Sequence, residues 1–145
     1  VIGEKVEVSN YALLSSEGVA AYNHGANRIG VLVALNSASD DALQAGRDLA
    51  MQIAAMNPIA VDENAVSQEV KDKELEIGRD IAKQEGKPEE MLDRIAQGKL
   101  KRFFKDNTLM NQSYVKDGSM TVSAFLESVS PDLEVKSFER FQLGA

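Results

Sequence analysis

Residues 29–35 read Ile-Gly-Val-Leu-Val-Ala-Leu, seven successive positions without a polar side chain. A run this short and this rich in branched residues reads as a strand, whose successive side chains point to opposite faces. Both faces must then be shielded from water, so the sheet is either sandwiched or completed by polypeptide outside this sequence. With 145 residues, 43% hydrophobic and 27% charged, the chain is long enough for one such core and has a globular composition.

The flanks of the run predict a sheet with a helix behind it. Residues 4–14 alternate with period two, as a half-buried strand does, residues 15–18 turn, and residues 19–23 form a second strand. His24-Gly25-Ala26-Asn27 then places glycine and asparagine where a chain reversal needs positive φ. After the apolar run, Ser37 or Ser39 can cap a helix whose first turn carries Asp40 and Asp41. Leu43, Arg47, Ala50, Met51, Ala54 and Ala55 fall at helical spacing on it, and Asn57-Pro58 ends it.

Residues 66–105 predict a helical hairpin. Val66, Val70, Ile77 and Ile81 trace a stripe on the first leg, and Met91, Leu92, Ile95, Ala96 and Phe103 trace one on the second. Gly86 ends the first helix, Pro88 suits the first turn of the next, and legs joined so tightly must run antiparallel. Each leg of about 18 residues would extend about 27 Å. The stripes are narrow and the remaining faces charged, so the hairpin is expected to project into solvent as a short coiled coil. Residues 106–119 read as a polar loop, and Thr121 as the cap of a short helix with Val122, Phe125, Leu126 and Val129 inward. Residues 133–143 alternate again, with Phe138 out of phase, which implies a bulge near the middle.

Several chemistries are excluded or disfavoured by the residues themselves. The chain has no cysteine, hence no disulfide, thiolate metal site or thiol nucleophile. A net charge of −7 opposes nucleic acid as a primary ligand. No apolar run approaches the roughly 18 residues of a membrane span, and the opening residues show no signal-peptide pattern, so a cytoplasmic location is expected. The sequence opens on Val1, which is expected of a piece of a longer polypeptide. Gly25 and Gly30 have the glycine spacing of a phosphate-binding loop, but Val31-Leu32 stands where Lys-Ser/Thr is required. One histidine among scattered carboxylates predicts no metal site, and Glu89-Glu90 reads as a solvated helix end rather than an acid–base pair. His24, the single histidine, is read as a turn residue or a side chain presented to a partner, with catalysis a distant third.

Three blocks carry a resemblance: EGVAAYNHGANRIGVLVALN, DLAMQIAAMNPIAV and VSQEVKDKELEIGRDIAKQEGKPEEMLDRIAQGKLKRFFKDNTLMNQSYV. In this order they are similar to bacterial elongation factor Ts, in the C-terminal part of its dimerisation domain, most specifically in Tyr-x-His-Gly-x-x-x-Ile-Gly-Val-Leu-Val and in the Gly-Lys-Pro turn. The resemblance implies an α+β fold over residues 1–145, an antiparallel sheet backed by helices with the hairpin 66–105 inserted. It implies binding to elongation factor Tu and promotion of GDP release, with no cofactor, metal or covalent step. The resemblance carries the partner contact over to His24 alone and makes the hairpin part of the binding surface, so the candidate partner-binding residues are Tyr22, His24 and Gly25 at the corner and Gly86, Lys87 and Pro88 at the hairpin tip. The family's N-terminal helical domain and its Thr-Asp-Phe-Val segment have no counterpart in this sequence, so binding is expected of the chain and full exchange of a longer protein. The alternatives are a homodimer or assembly module built on the apolar strand, and a small hydrolase using His24 as base.

Overall fold

The computed structural model describes every residue except 1, 2, 4, 6, 27 and 145. In chain order the elements are β1 (Gly18–His24), β2 (Ile29–Leu35), α1 (Asp40–Met56), α2 (Gln68–Gln84), α3 (Leu92–Asn107), β3 (Ser113–Tyr114), β4 (Asp117–Thr121), α4 (Val122–Val129) and β5 (Val135–Gln142). The class is α+β, with antiparallel strand pairing as expected. The chain divides into two compact units, residues 1–54 with 134–145, and residues 55–133.

In the first unit the apolar strand β2 lies at the centre of a three-stranded sheet of order β1-β2-β5. Its register pairs Ala20 with Val33 and Tyr22 with Val31 on one side, and Val33 with Phe138 and Val31 with Arg140 on the other. Val31, Val33 and Leu35 therefore share one face, and all three are buried. α1 packs on that face through small residues: a Cβ added to Gly46 would lie 2.7 Å from both Ala20 and Leu35. Leu49 and Ile53 of α1 are fully buried, each contributing about 1.5–3 kcal/mol by removal from water. Ser39 is the cap, its hydroxyl accepting from the Ala42 amide at 3.2 Å. The helix ends at Met56, followed by Asn57 at φ +46° and Pro58.

Two details of this unit differ from the sequence reading. The buried residues of α1 are Ala42, Ala45, Gly46, Leu49, Ala50, Gln52, Ile53 and Ala54, whereas Leu43 is half-buried and Arg47 and Ala55 are exposed. Ala50 and Ala54 are buried as their spacing suggests, but a helix this rich in alanine carries little contrast between faces, so periodicity does not mark the rest of its buried side. The described residues of 5–14 form no strand, and Val8 is 86% and Tyr11 82% exposed. Alternation makes a segment compatible with a sheet, but a strand exists only where a ladder partner satisfies its amides.

The bulge in β5 is present and lies nearer its start than its middle. Leu35 pairs with Val135 but Ala34 with Ser137, so Lys136 is the extra residue. That insertion brings Val135 and Phe138 onto one face despite their odd spacing, and leaves Phe141 on the other.

The second unit is built around the antiparallel pair α2 and α3. Ser67 caps α2, its hydroxyl accepting from the Val70 amide at 3.4 Å. At the other end the Gly86 amide donates to the Lys83 carbonyl and the Lys87 amide to the Ala82 carbonyl, each at 3.0 Å, with Gly86 at φ +70°. This is a Schellman close, which needs the left-handed residue that glycine supplies without strain. Pro88 then leads into a single 3-10 turn, Glu89–Met91, from which α3 continues.

The seam between the legs is made of smaller residues than the sequence implies. Gly78 and Ala82 are the buried residues of α2, facing Leu92, Ala96 and Leu100 of α3, while Ile77, Ile81 and Met91 are exposed. Leu92 and Ala96 of α3 are buried as expected, whereas the stripe expected on α2 is rotated by about one residue, because close approach of two backbones favours glycine and alanine over isoleucine. Arg79 Nε donates to Asp93 Oδ1 across the legs at 2.5 Å, an exposed pair worth at most about 1 kcal/mol.

Residues 106–119 are more ordered than a loop. The Leu109 and Met110 amides donate to the Ala60 and Val61 carbonyls, and Gln112 is buried with its side chain donating to the Asp106 carbonyl at 3.0 Å. The β3–β4 hairpin follows, and α4 begins at Thr121, whose hydroxyl accepts from the Ala124 amide at 3.2 Å. Val122 and Leu126 of α4 are buried, and Phe125 stacks on Tyr114 with ring centroids 4.2 Å apart.

Candidate partner-binding site

His24 is the last residue of β1, and its imidazole is exposed at the corner leading into β2. The corner is tight: Gly25 has φ +60° and Ala26 φ +56°, and the Arg28 amide donates to the carbonyls of His24 and Gly25 at 3.1 and 3.2 Å. Left-handed backbone costs glycine little but costs alanine about 1–2 kcal/mol. The expected asparagine position, Asn27, lies outside the described residues.

Period two puts Tyr22 on the same face as His24, and the two side chains meet. Tyr22 Oη and His24 Nδ1 are 3.0 Å apart, with ring centroids at 5.9 Å and planes inclined by 39°. The half-buried phenol anchors the exposed imidazole, which limits the directions the ring can take. Three of the expected contact residues, Tyr22, His24 and Gly25, are therefore gathered at one corner.

Two residues of β5 extend this face, and the sequence reading missed both. The ladder sets Gln142 beside Ile29, which pairs with His24, and Arg140 beside Val31, which pairs with Tyr22. Arg140 Nη2 donates to Gln142 Oε1 at 3.0 Å and approaches the Ala54 carbonyl in the last turn of α1 at 3.4 Å. α1 has no basic residue of its own in that turn, so Arg140 places a positive charge at the negative end of the helix. Its Nε is buried without a hydrogen-bond partner among the described residues. Only the strand register reveals this neighbourhood, since residues 24 and 142 lie at opposite ends of the sequence.

The hairpin tip holds the other expected residues. Gly86, Lys87 and Pro88 are all exposed, within a stretch from residue 83 to residue 91 that is exposed throughout. The tip's conformation is set by the helix close at Gly86 and the fixed φ of Pro88, −56°.

The described hydrogen-bond partner of the imidazole is a phenol, and among the described residues no three or more His, Asp and Glu side chains are gathered as metal ligands. A cavity of about 420 Å³ in the second unit is lined by Glu63, Lys101, Phe104, Lys105, Asn111 and Thr121, with neither His24 nor the hairpin tip among them. Among the described residues no helix is long and apolar enough to cross a membrane.

Comparison with known proteins places this sequence in a family. The profile of the family described as elongation factor TS matches residues 1–145. Among curated proteins named elongation factor Ts, the chain is 49% identical over 144 residues to that of Christiangramia forsetii, covering 99% of this chain and 53% of the relative. It is 50% identical over 145 residues to that of Amoebophilus asiaticus, covering 99% of this chain and 52% of the relative. For the Flavobacterium psychrophilum protein the figures are 47% over 144 residues, 99% and 53%. The chain thus spans about half the length of the curated relatives it matches. Coverage by the family profile from the first residue to the last establishes that this chain belongs to the elongation factor Ts family.

Proposed function

We propose that this chain binds elongation factor Tu through two presented features, the Tyr22-His24-Gly25 corner and the Gly86-Lys87-Pro88 tip of the hairpin formed by residues 66–105. The observation that carries the reading is the state of the chain's single imidazole: it is exposed, tethered by a neighbouring phenol, and belongs to no metal-binding group of His, Asp and Glu among the described residues. A small-molecule hydrolase would need a nucleophile and an orienting group within reach of that ring. A docking side chain needs only a fixed direction and access to a partner.

The mechanism is thermodynamic linkage and involves no covalent chemistry. A partner that binds nucleotide-free Tu more tightly than GDP-bound Tu lowers GDP affinity by the same factor, and about 4 kcal/mol of coupling corresponds to roughly a thousandfold. The corner and the hairpin anchor the complex in this scheme, while segments of the longer protein supply most of the disruption at the nucleotide. The chain then works where translation does, in the cytoplasm, without a cofactor.

Titration of the chain against Tu, with and without excess GDP, tests the reading. Binding that GDP competes away is the expected result, and equal affinity at saturating GDP would refute the linkage. Stopped-flow release of labelled GDP tests the division of labour, which full exchange activity by this chain alone would sink. A homodimer is the second reading, favoured by Val19 and Phe141, 38% and 39% exposed on the sheet face opposite α1. Sedimentation over a concentration series decides it, a strict monomer excluding the dimer.

A further inference from the structure

We infer that Tyr22 is a positioning residue that selects the tautomer of His24, so that the corner presents an N–H at Nε2 that donates to a carbonyl or carboxylate oxygen of its partner. The inference rests on the docking role proposed for His24. It starts from the 3.0 Å approach of Tyr22 Oη to His24 Nδ1. A phenol is a better donor than acceptor, and the bare nitrogen of a neutral imidazole is the strongest acceptor on that ring. The Tyr22 O–H therefore donates to Nδ1, which leaves the ring proton on Nε2.

Position makes this choice consequential. Tyr22 and His24 stand on one face of β1, two residues apart, and the phenol is half-buried while the imidazole is exposed. The tyrosine thus occupies the Nδ1 side of the ring, and Nε2, on the far side, is the nitrogen left for a partner. Without the phenol the ring would sample both neutral tautomers and offer a mixture of donor and acceptor. With it, the corner is a donor, and an oxygen acceptor on the docking face is the complementary chemistry.

Two measurements test the proposal. Nitrogen-15 NMR of the imidazole in this chain, at a pH where the ring shifts report the neutral form, reads the tautomer ratio directly. The expected result is a dominant Nε2–H form that falls about fivefold relative to Nδ1–H in Tyr22→Phe, the factor corresponding to one ordinary hydrogen bond. A dominant Nδ1–H form, or a ratio that Tyr22→Phe leaves unchanged, would overturn the assignment.

The second measurement compares His24→Gln, whose amide N–H lies near the Nε2 position, with His24→Asn, whose amide reproduces the Nδ1 side. Tu affinity retained about fivefold better by the glutamine variant supports a donor at Nε2. Equal affinities, or the reverse order, refute it. Failure of the unsubstituted chain to bind Tu would instead refute the docking role, and the NMR ratio would still decide the tautomer.

Discussion

Gly78 of α2 faces Ala96 of α3 so closely that a Cβ on the glycine would lie 3.0 Å from the Ala96 Cα. The two backbones meet where neither leg carries a large side chain, and the exposed isoleucines and methionine stand to the side of that seam. A branched side chain has no room there. Gly78→Leu is expected to lower stability by about 1–3 kcal/mol through overpacking, outweighing the leucine's better helix propensity. Thermal unfolding followed by circular dichroism reads this as a drop of several degrees, and an unchanged midpoint would mean that the legs are not packed through Gly78.

The corner stores backbone strain at Ala26. Its φ of +56° belongs to the left-handed region, which a Cβ makes unfavourable. Ala26→Gly relieves that strain while giving the unfolded chain more freedom, so the expected gain is at most about 1 kcal/mol. Urea unfolding checks it: a higher midpoint with an unchanged slope is the expected outcome, and a lower one would contradict the assigned conformation.

Asp117 ties down the β3–β4 turn. Its carboxylate accepts from the Ser119 hydroxyl at 2.6 Å and from the Ser119 amide at 3.0 Å. These two bonds, the hydroxyl's first, hold its pKa below the ordinary 3.8. A carboxylate depressed in the folded state contributes stability above its unfolded value, and that contribution is lost as pH falls through the folded value. The contribution is therefore present throughout the range above 3.8, and only its loss is confined to acid solution below that value. Ser119→Ala is expected to move the Asp117 titration upward toward 3.8, as read by NMR of the side-chain carboxyl carbon.

Partner binding should separate from folding. His24 and Lys87 are exposed, so His24→Ala and Lys87→Glu are expected to change stability by less than about 0.5 kcal/mol. Tu affinity should fall about tenfold with His24→Ala if the corner is a central contact. Lys87→Glu should weaken binding with a salt dependence that differs from that of the unsubstituted chain. Calorimetric titration measures both. Unaltered affinity in both variants would remove these features from the interface.

Neighbouring residues carry the information that was legible in the sequence. The apolar run of β2, the reversal at Gly25, the capping roles of Ser39 and Thr121 and the helix end at Gly86 each depend on a few adjacent positions, whose backbone preferences act locally. The family signature belongs to the same class, since it lies in contiguous blocks. What only the tertiary structure decided involves residues far apart in the chain. Whether residues 5–14 find a ladder partner, where Lys136 bulges, which side of α2 meets α3, and the placing of Arg140 and Gln142 on the Tyr22-His24 face are all of this kind. Strand pairing and helix packing draw their free energy from a second segment, and a local pattern cannot specify which segment that is or in what register it arrives.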